Sequence, residues 1–460
     1  LLKELFQSFG FYHIALNSMD KRNARAFIKA VGKFFQCLLF YNTGEKLETL
    51  HAGKIQIGKP MYEDIIRTSS LSTIRTVKNK ICMKKIFHLL WTFYSLDQLC
   101  KKYKPNFVVC DDIAYHENMF LRLWISYGAK IYSCNYIDEH IIQWKNDGDL
   151  LTRSDMERRR YVKELENVPV EAIEWSEKYL KERYEGKNGR EIDRGAFAGK
   201  RVLSREEAIR EIGLDQTKKN VVIMAHTFTD AVFNYGTTYF RDYYDWTEQT
   251  IKIASKINSV NWILKRHPSR NLYNESEDSI EDMYSRYQTP NIYLLSDEVS
   301  AESIRNFADV IITIGGNAGA EFACEGVPPV IVGKPYYCGF GYTIEPKTKN
   351  EYIKCLQNIS DIQPLTEEQV IIAKKIFYLR NHESTTSLAF RDEFSRLITA
   401  EYQGMIEKIA QQYFLSNEGT QKYNNNCMCF VKNYFKTHDI RKCEYYRRGV
   451  LRAGKANEDN

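Results

Sequence analysis

Short apolar runs rich in β-branched residues alternate with segments of helical spacing along most of this chain, and that alternation predicts an α/β protein built on parallel sheets. Two observations sharpen the prediction. The chain has 460 residues, enough for two or three domains. Its unusual residues also cluster just past the predicted strands: His267 after one, Gly315, Gly316 and Asn317 after another, Lys334 and Tyr336 after a third. Open parallel sheets hold their ligands at those strand ends.

Taken in order, the chain opens with a predicted strand at residues 11–16, then a helix over 24–41 and a second helix carrying Tyr62 and Arg67. A helix near 84–102 ends before Pro105, which introduces the apolar strand 107–110. Asp111 and Asp112 stop that strand, residues 114–127 are helical, and 130–133 form another strand. Strand, acidic turn, helix and strand together predict a Rossmann-like domain over residues 1–146. Residues 147–217 are charged and poor in β-formers, as a helical connector would be. A second Rossmann-like domain, residues 218–400, opens on the strand 220–225 and the helix 243–257. It continues through apolar runs at 260–264, 291–296, 309–315 and 329–333, and closes on helices 351–359 and 366–379. Residues 401–460 form a helical and basic tail.

Composition narrows the function classes. Hydrophobic residues make up 43% and charged residues 27%, the balance of a folded chain and not of a disordered one. A formal net charge of +6 over this length gives no reason to expect nucleic acid. No apolar run approaches the ~18–20 residues of a membrane span, and no signal peptide is visible in a sequence that begins at Leu1. The eleven cysteines lack zinc-like pairs, so free thiols in a reducing cytoplasm are expected, with no metal and no cofactor.

The strand ends carry the chemistry. Lys265-Arg266-His267-Pro268 places two cations and an imidazole where an apolar strand stops, a set that suits a phosphate. A surface basic pair beside a core histidine is the competing reading. Gly315-Gly316-Asn317-Ala318-Gly319 joins a strand to a helix, and small residues there let backbone N–H groups approach an anion. A plain tight turn would look the same. Glu321, on the first turns of that helix, either reaches a ribose hydroxyl or complements the helix dipole.

These residues resemble a family, the bacterial capsule polysaccharide biosynthesis proteins related to Kdo transferases and built as GT-B glycosyltransferases. The likeness runs through VVIMAHTFTDA (221–231), YFRDYYDWTEQTI (239–251), ILKRHPSR (263–270) and GGNAGAEFACEGVPPVIVGKPYYCGFGYT (315–343), with a looser echo at IQIGKPMYEDIIR (55–67). It implies two Rossmann-like domains facing across a cleft and a metal-independent transfer from a nucleotide sugar. Lys265 and His267 would bind donor phosphate, Gly315, Gly316 and Asn317 would supply backbone donors, Glu321 would bind the ribose, and Tyr342 and Thr343 would close over the donor. Gly315-Gly316-Asn317 stands where the family commonly has Gly-Ser-Thr, which leaves the nucleotide, CMP or another, unassigned.

For catalysis the expected groups are Asp230 and His226, after the first strand of the second domain, and Asp112 and His116, at the matching strand end of the first. A carboxylate or histidine there would take the acceptor proton, although capping and interdomain bonding are competing roles. The expected acceptor is a growing surface polysaccharide or its glycolipid primer at the inner face of the cell membrane. A CDP-polyol phosphotransferase and a catalytically inactive GT-B scaffold are the alternatives. Finally, Lys432, Lys436, Arg441, Lys442, Arg447, Arg448, Arg452 and Lys455, interleaved with Phe435, Tyr445 and Tyr446, predict contact between the tail and an anionic membrane.

Overall fold

The computed structural model describes residues 24–104, 107–110, 113–134, 141–144, 153–187, 196–197, 199–233, 239–268 and 278–382. The strand expected at 11–16, Asp112 and the basic tail lie outside them.

Among the described residues the first half is mostly helical. Helices α1 (Ala24–Phe40) and α2 (Gly44–Glu48) lead through a two-stranded ribbon, β1 (His51–Ala52) and β2 (Ile55–Gln56), into α3 (Gly58–Ser69) and α4 (Lys80–Tyr103). Asn79 caps α4 by accepting from the Ile81 N–H at 2.8 Å, and Lys104 ends it in a left-handed conformation. Strand β3 (Phe107–Cys110), helix α5 (Tyr115–Ser126) and strand β4 (Lys130–Cys134) then make one βαβ unit, with β3 and β4 parallel. Strand β5 (Ile141–Trp144), which the sequence reading had not marked, adds antiparallel to β4. Among the described residues the Rossmann-like domain expected here is therefore a single parallel pair with an antiparallel edge. Most of the other described residues there belong to long helices that pack on one another.

Helices α6 (Arg153–Glu164), α7 (Glu171–Tyr184) and α8 (Arg205–Ile212) follow, in the stretch expected to be a helical connector. The second half contains β6 (Lys219–Met224), α9 (Tyr243–Ala254), β7 (Val260–Lys265), α10 (Ile280–Tyr287), β8 (Ile292–Leu294), α11 (Glu302–Phe307), β9 (Val310–Thr313), α12 (Asn317–Ala323), β10 (Pro329–Ile331), α13 (Lys349–Gln357) and α14 (Glu367–Asn381). Its strands lie in the order β10-β9-β6-β7-β8, every pair parallel. Numbered within this half the order is 5-4-1-2-3, the doubly wound arrangement in which the chain reverses direction across the sheet between its first and fourth strands.

Alternation along the strands assigns the two faces. Val221, Ile223, Trp262, Leu264, Val310 and Ile312 belong to one core, with α9, α10, α13 and the helices of the first half. Val222, Ile263, Ile311 and Ile331 belong to the other, with α6, α7, α8, α11, α12 and α14. Burial on both faces is why these strands read as unbroken apolar runs. The first core is continuous from Ala30 to Ile359, so the helices of the first half and the five-stranded sheet share one interior.

A buried carboxylate fastens them together. Asp242, the N-cap of α9, accepts from the Asp245 N–H at 2.8 Å. Its other oxygen accepts from the Thr73 hydroxyl at 2.6 Å and from the Tyr62 hydroxyl. Arg241 Nε lies 3.4 Å from that second oxygen.

Candidate functional site

The reversal point of the sheet lies between β6 and β9, and the two strands lead into His226 and into Thr313-Ile314-Gly315-Gly316. His226 Nε2 is 3.3 Å from Thr313 Oγ1. The same oxygen accepts from the Gly316 N–H at 3.2 Å, so its own proton can be given to the imidazole. A Cβ added to Gly316 would stand 3.3 Å from both His226 Nε2 and Thr313 Oγ1. The absence of a side chain there is what lets the turn close on the histidine. Gly315 is buried, Gly316 partly covered and Asn317 exposed.

His226 lies in a stack of rings. Tyr243 is parallel to it at 4.6 Å between centroids and His267 at 6.4 Å, tilted 28° and 24° respectively. Burial, with the neighbouring His267 adding to it, holds the His226 imidazole down at about 3. At neutral pH His226 is therefore uncharged and acts as a hydrogen-bonding group. The other basic side chains at this edge of the sheet are those of Lys265, the last residue of β7 and only 2% exposed, and of half-buried His267. Arg266 is used elsewhere: it pairs with Glu281 at 2.5 Å and Asp297 at 3.1 Å. The strand-end basic cluster thus divides into a structural arginine, a buried lysine and a histidine that stacks on His226.

The turn after β9 has a template that the sequence reading missed. Tyr337 Oη donates to the Gly316 carbonyl at 2.7 Å, and a Cβ on Gly319 would lie 2.3 Å from the tyrosine Oη. Gly319 leaves room for the tyrosine, and the tyrosine fixes the turn. The signal available was Tyr336-Tyr337 following an apolar strand, but nothing local says what those rings touch.

The loop after β6 meets the first half. Asp230 Oδ1 accepts from the Tyr115 hydroxyl at 2.8 Å and from the Ala231 N–H at 2.8 Å. Burial first, then the Asp230 charge, pushes the Tyr115 phenol up, so it stays a donor. Tyr115 opens α5 with φ of 54°, the left-handed region that a bulky residue enters only under constraint. Buried Glu63 accepts from the Phe233 N–H at 2.7 Å and the Tyr115 N–H at 3.4 Å, and Lys59 lies over the Phe233 ring at 5.2 Å. Glu63 and Tyr115 are the residues that bring the first half to this loop.

The remaining expected residues fall in other surroundings. His116 sits between two carboxylates, Nδ1 at 2.7 Å from Asp64 and Nε2 at 3.1 Å from Glu117. The Asp64 hydrogen bond, outweighing burial, raises the imidazole above its usual range. A ring held so at both nitrogens suits a proton donor or fixed charge better than a base. Glu321 pairs with Arg183 of α7 at 2.8 Å. Tyr342 is buried at 1% exposure in the core on the α7 side of the sheet. The Thr343 hydroxyl donates to the Glu345 carboxylate. Among the described residues no group of three or more His, Cys, Asp or Glu is placed to hold a metal ion, and no helix is long and apolar enough to cross a membrane.

No family model and no curated protein matches the sequence. Solved structures show distant similarity. The KpsC beta Kdo 2,4 transferase of Thermosulfurimonas dismutans is 11% identical with a TM-score of 0.33, over 58% of this chain and 78% of that one. The KpsC beta Kdo 2,7 transferase of the same organism is 14% identical with a TM-score of 0.31, over 61% and 79%. The Methanocaldococcus jannaschii UDP-GlcNAc 2-epimerase, in complex with UDP-GlcNAc and UDP, is 12% identical with a TM-score of 0.26, over 64% and 81%. Similarity of this size transfers no residue role.

Proposed function

We propose that this chain is a GT-B-like glycosyltransferase that moves a sugar from a nucleotide-activated donor to a surface polysaccharide or its lipid-linked primer. One observation carries the reading. His226, His267 and Gly316, with Lys265 ending the adjoining strand, gather at the reversal point of a doubly wound sheet, where such sheets take nucleotides.

In this reading Lys265 and His267 match the donor phosphates by charge. His226 and the turn at Gly315, Gly316 and Asn317 contribute hydrogen bonds without charge. Fixed groups of this kind stabilise a departing nucleotide without having to reorganise. Arg183 holds Glu321 for the ribose, and Tyr342 and Thr343 shape the loop that borders the donor. The helices of the first half, with α5, form the acceptor side. Asp230 is the candidate base: one oxygen is held by Tyr115 and Ala231, which leaves the other to face a hydroxyl. His116 serves as a charged anchor on the acceptor side.

A hydrolysis screen with a panel of CMP-, UDP- and GDP-activated sugars tests the reading. Slow release of one nucleotide in the absence of acceptor is the expected result. A protein that neither binds nor hydrolyses any member of the panel is not a transferase of this type.

A further inference from the structure

The α1/α4 pair leaves large apolar side chains in water. Phe35 is 57% exposed, Leu39 68%, Phe40 66%, and Ile81 on α4 47%. The two helices run antiparallel, because Phe34 meets Phe87 at 5.6 Å while Phe27 meets Trp91 at 5.5 Å and Lys29 reaches Asp97 at 3.6 Å. The Val77 N–H donates to the Asn42 carbonyl at 3.1 Å, so the end of α1 and the start of α4 are tied together. Leu39, Phe40 and Ile81 therefore gather at one end of the pair.

On these two helices the charge at that end has one sign, with Glu45 of the neighbouring α2 the nearest exposed carboxylate in sequence. Neither α1 nor the stretch from residue 65 to residue 96 contains a single Asp or Glu. Lys78, Lys80 and Lys84 are all exposed where α4 begins. A helix surface that combines exposed Phe, Leu and Ile with lysines and no carboxylates is built to lie in the headgroup layer of a bilayer, and anionic lipid attracts each such cation.

We propose that this end of the α1/α4 pair is a membrane-docking surface, which lays Phe35, Leu39, Phe40 and Ile81 into an anionic bilayer with Lys78, Lys80 and Lys84 against the lipid phosphates. The surface is distinct from the basic tail and does not depend on the transferase reading.

The test is co-sedimentation of the full chain with vesicles of phosphatidylcholine alone and of an equal mixture of phosphatidylcholine and phosphatidylglycerol. The intact protein should bind the mixed vesicles and largely ignore the neutral ones. The double variants Phe35→Glu/Leu39→Glu and Lys80→Glu/Lys84→Glu should each bind the mixed vesicles about tenfold or more weakly, with circular dichroism and unfolding midpoints unchanged. The lysine pair is wholly on the surface and decides the matter even if the apolar pair disturbs folding. No binding by the intact protein overturns the proposal; this is the outcome if residues 1–23 or an acidic protein partner is the true cover. Binding that survives both double variants also overturns it and places the anchor elsewhere, the tail included.

Discussion

His226 makes the stability of the fold depend on pH with a definite sign and size. In the unfolded chain its imidazole titrates near 6.5; folded, burial beneath Tyr243 and beside His267 brings it to about 3. Between those values the unfolded chain binds a proton that the folded one refuses, so stability is full above pH 6.5 and falls as the solution is made more acid. At pH 5, one and a half units below the unfolded value, the loss from this residue is about 2 kcal/mol at 1.36 kcal/mol per unit. Other groups titrate over the same range, and the measurement must cancel them. Urea unfolding at pH 7 and pH 5, at fixed ionic strength, is compared for the native protein and for His226→Gln, which keeps a polar group near Thr313 Oγ1. The native protein should lose about 2 kcal/mol more than the variant. Equal losses in the two proteins would refute both the buried neutral imidazole and the ring stack that enforces it.

Two more outcomes follow from the geometry. Gly319→Ala places a carbon against Tyr337 Oη and should destabilise the protein by about 1–3 kcal/mol, as overpacking does; Tyr337→Phe/Gly319→Ala should recover part of that loss, and an unfolding curve unchanged by Gly319→Ala would show that the tyrosine is not the template. Asp230→Asn should lower turnover by roughly 10²–10⁴ at saturating donor with donor affinity kept, whereas Tyr115→Phe, which removes only the donor at 2.8 Å, should cost much less; similar small losses in both would make Asp230 a structural carboxylate.

Much of the second half was legible because each strand buries both faces. Runs such as Val221-Val222-Ile223 and Val310-Ile311-Ile312 have no other use in a chain of ordinary composition. Strand β3 was equally clear, an apolar run introduced by Pro105. Helix α10 was missed although Ser279 and Asp282 form a capping box, because only Ile280 and Met283 are buried on it and no apolar period stands out. Strand β5 was missed although Asn146-Asp147-Gly148 follow it, because Ile141-Ile142-Gln143-Trp144 is only four residues long and shows no period of its own.

In the site, the lysine–histidine strand end and the glycine turn could be read, since each is local. Their partners could not. Thr313 meets His226 across 87 residues and Glu63 meets Phe233 across 170, and no spacing rule reaches that far. The same limit hid Arg183, which comes to Glu321 from α7. It also hid the mostly helical character of the first half, where α1 and α4 look amphipathic singly but reveal their packing only as a pair.

In the proposed function the carboxyl ends of β6, β7 and β9 bind a nucleotide through Lys265 and His267. Its most direct test is calorimetric titration of CMP, UDP and GDP into the native protein, His267→Ala and Lys265→Ala. At least one nucleotide should bind the native protein. In each variant that affinity should fall about ten- to hundred-fold, the cost of one charge-assisted hydrogen bond of roughly 1.5–3 kcal/mol, with unfolding midpoints nearly unchanged. Equal affinity in all three proteins, or no binding by any nucleotide, would contradict it.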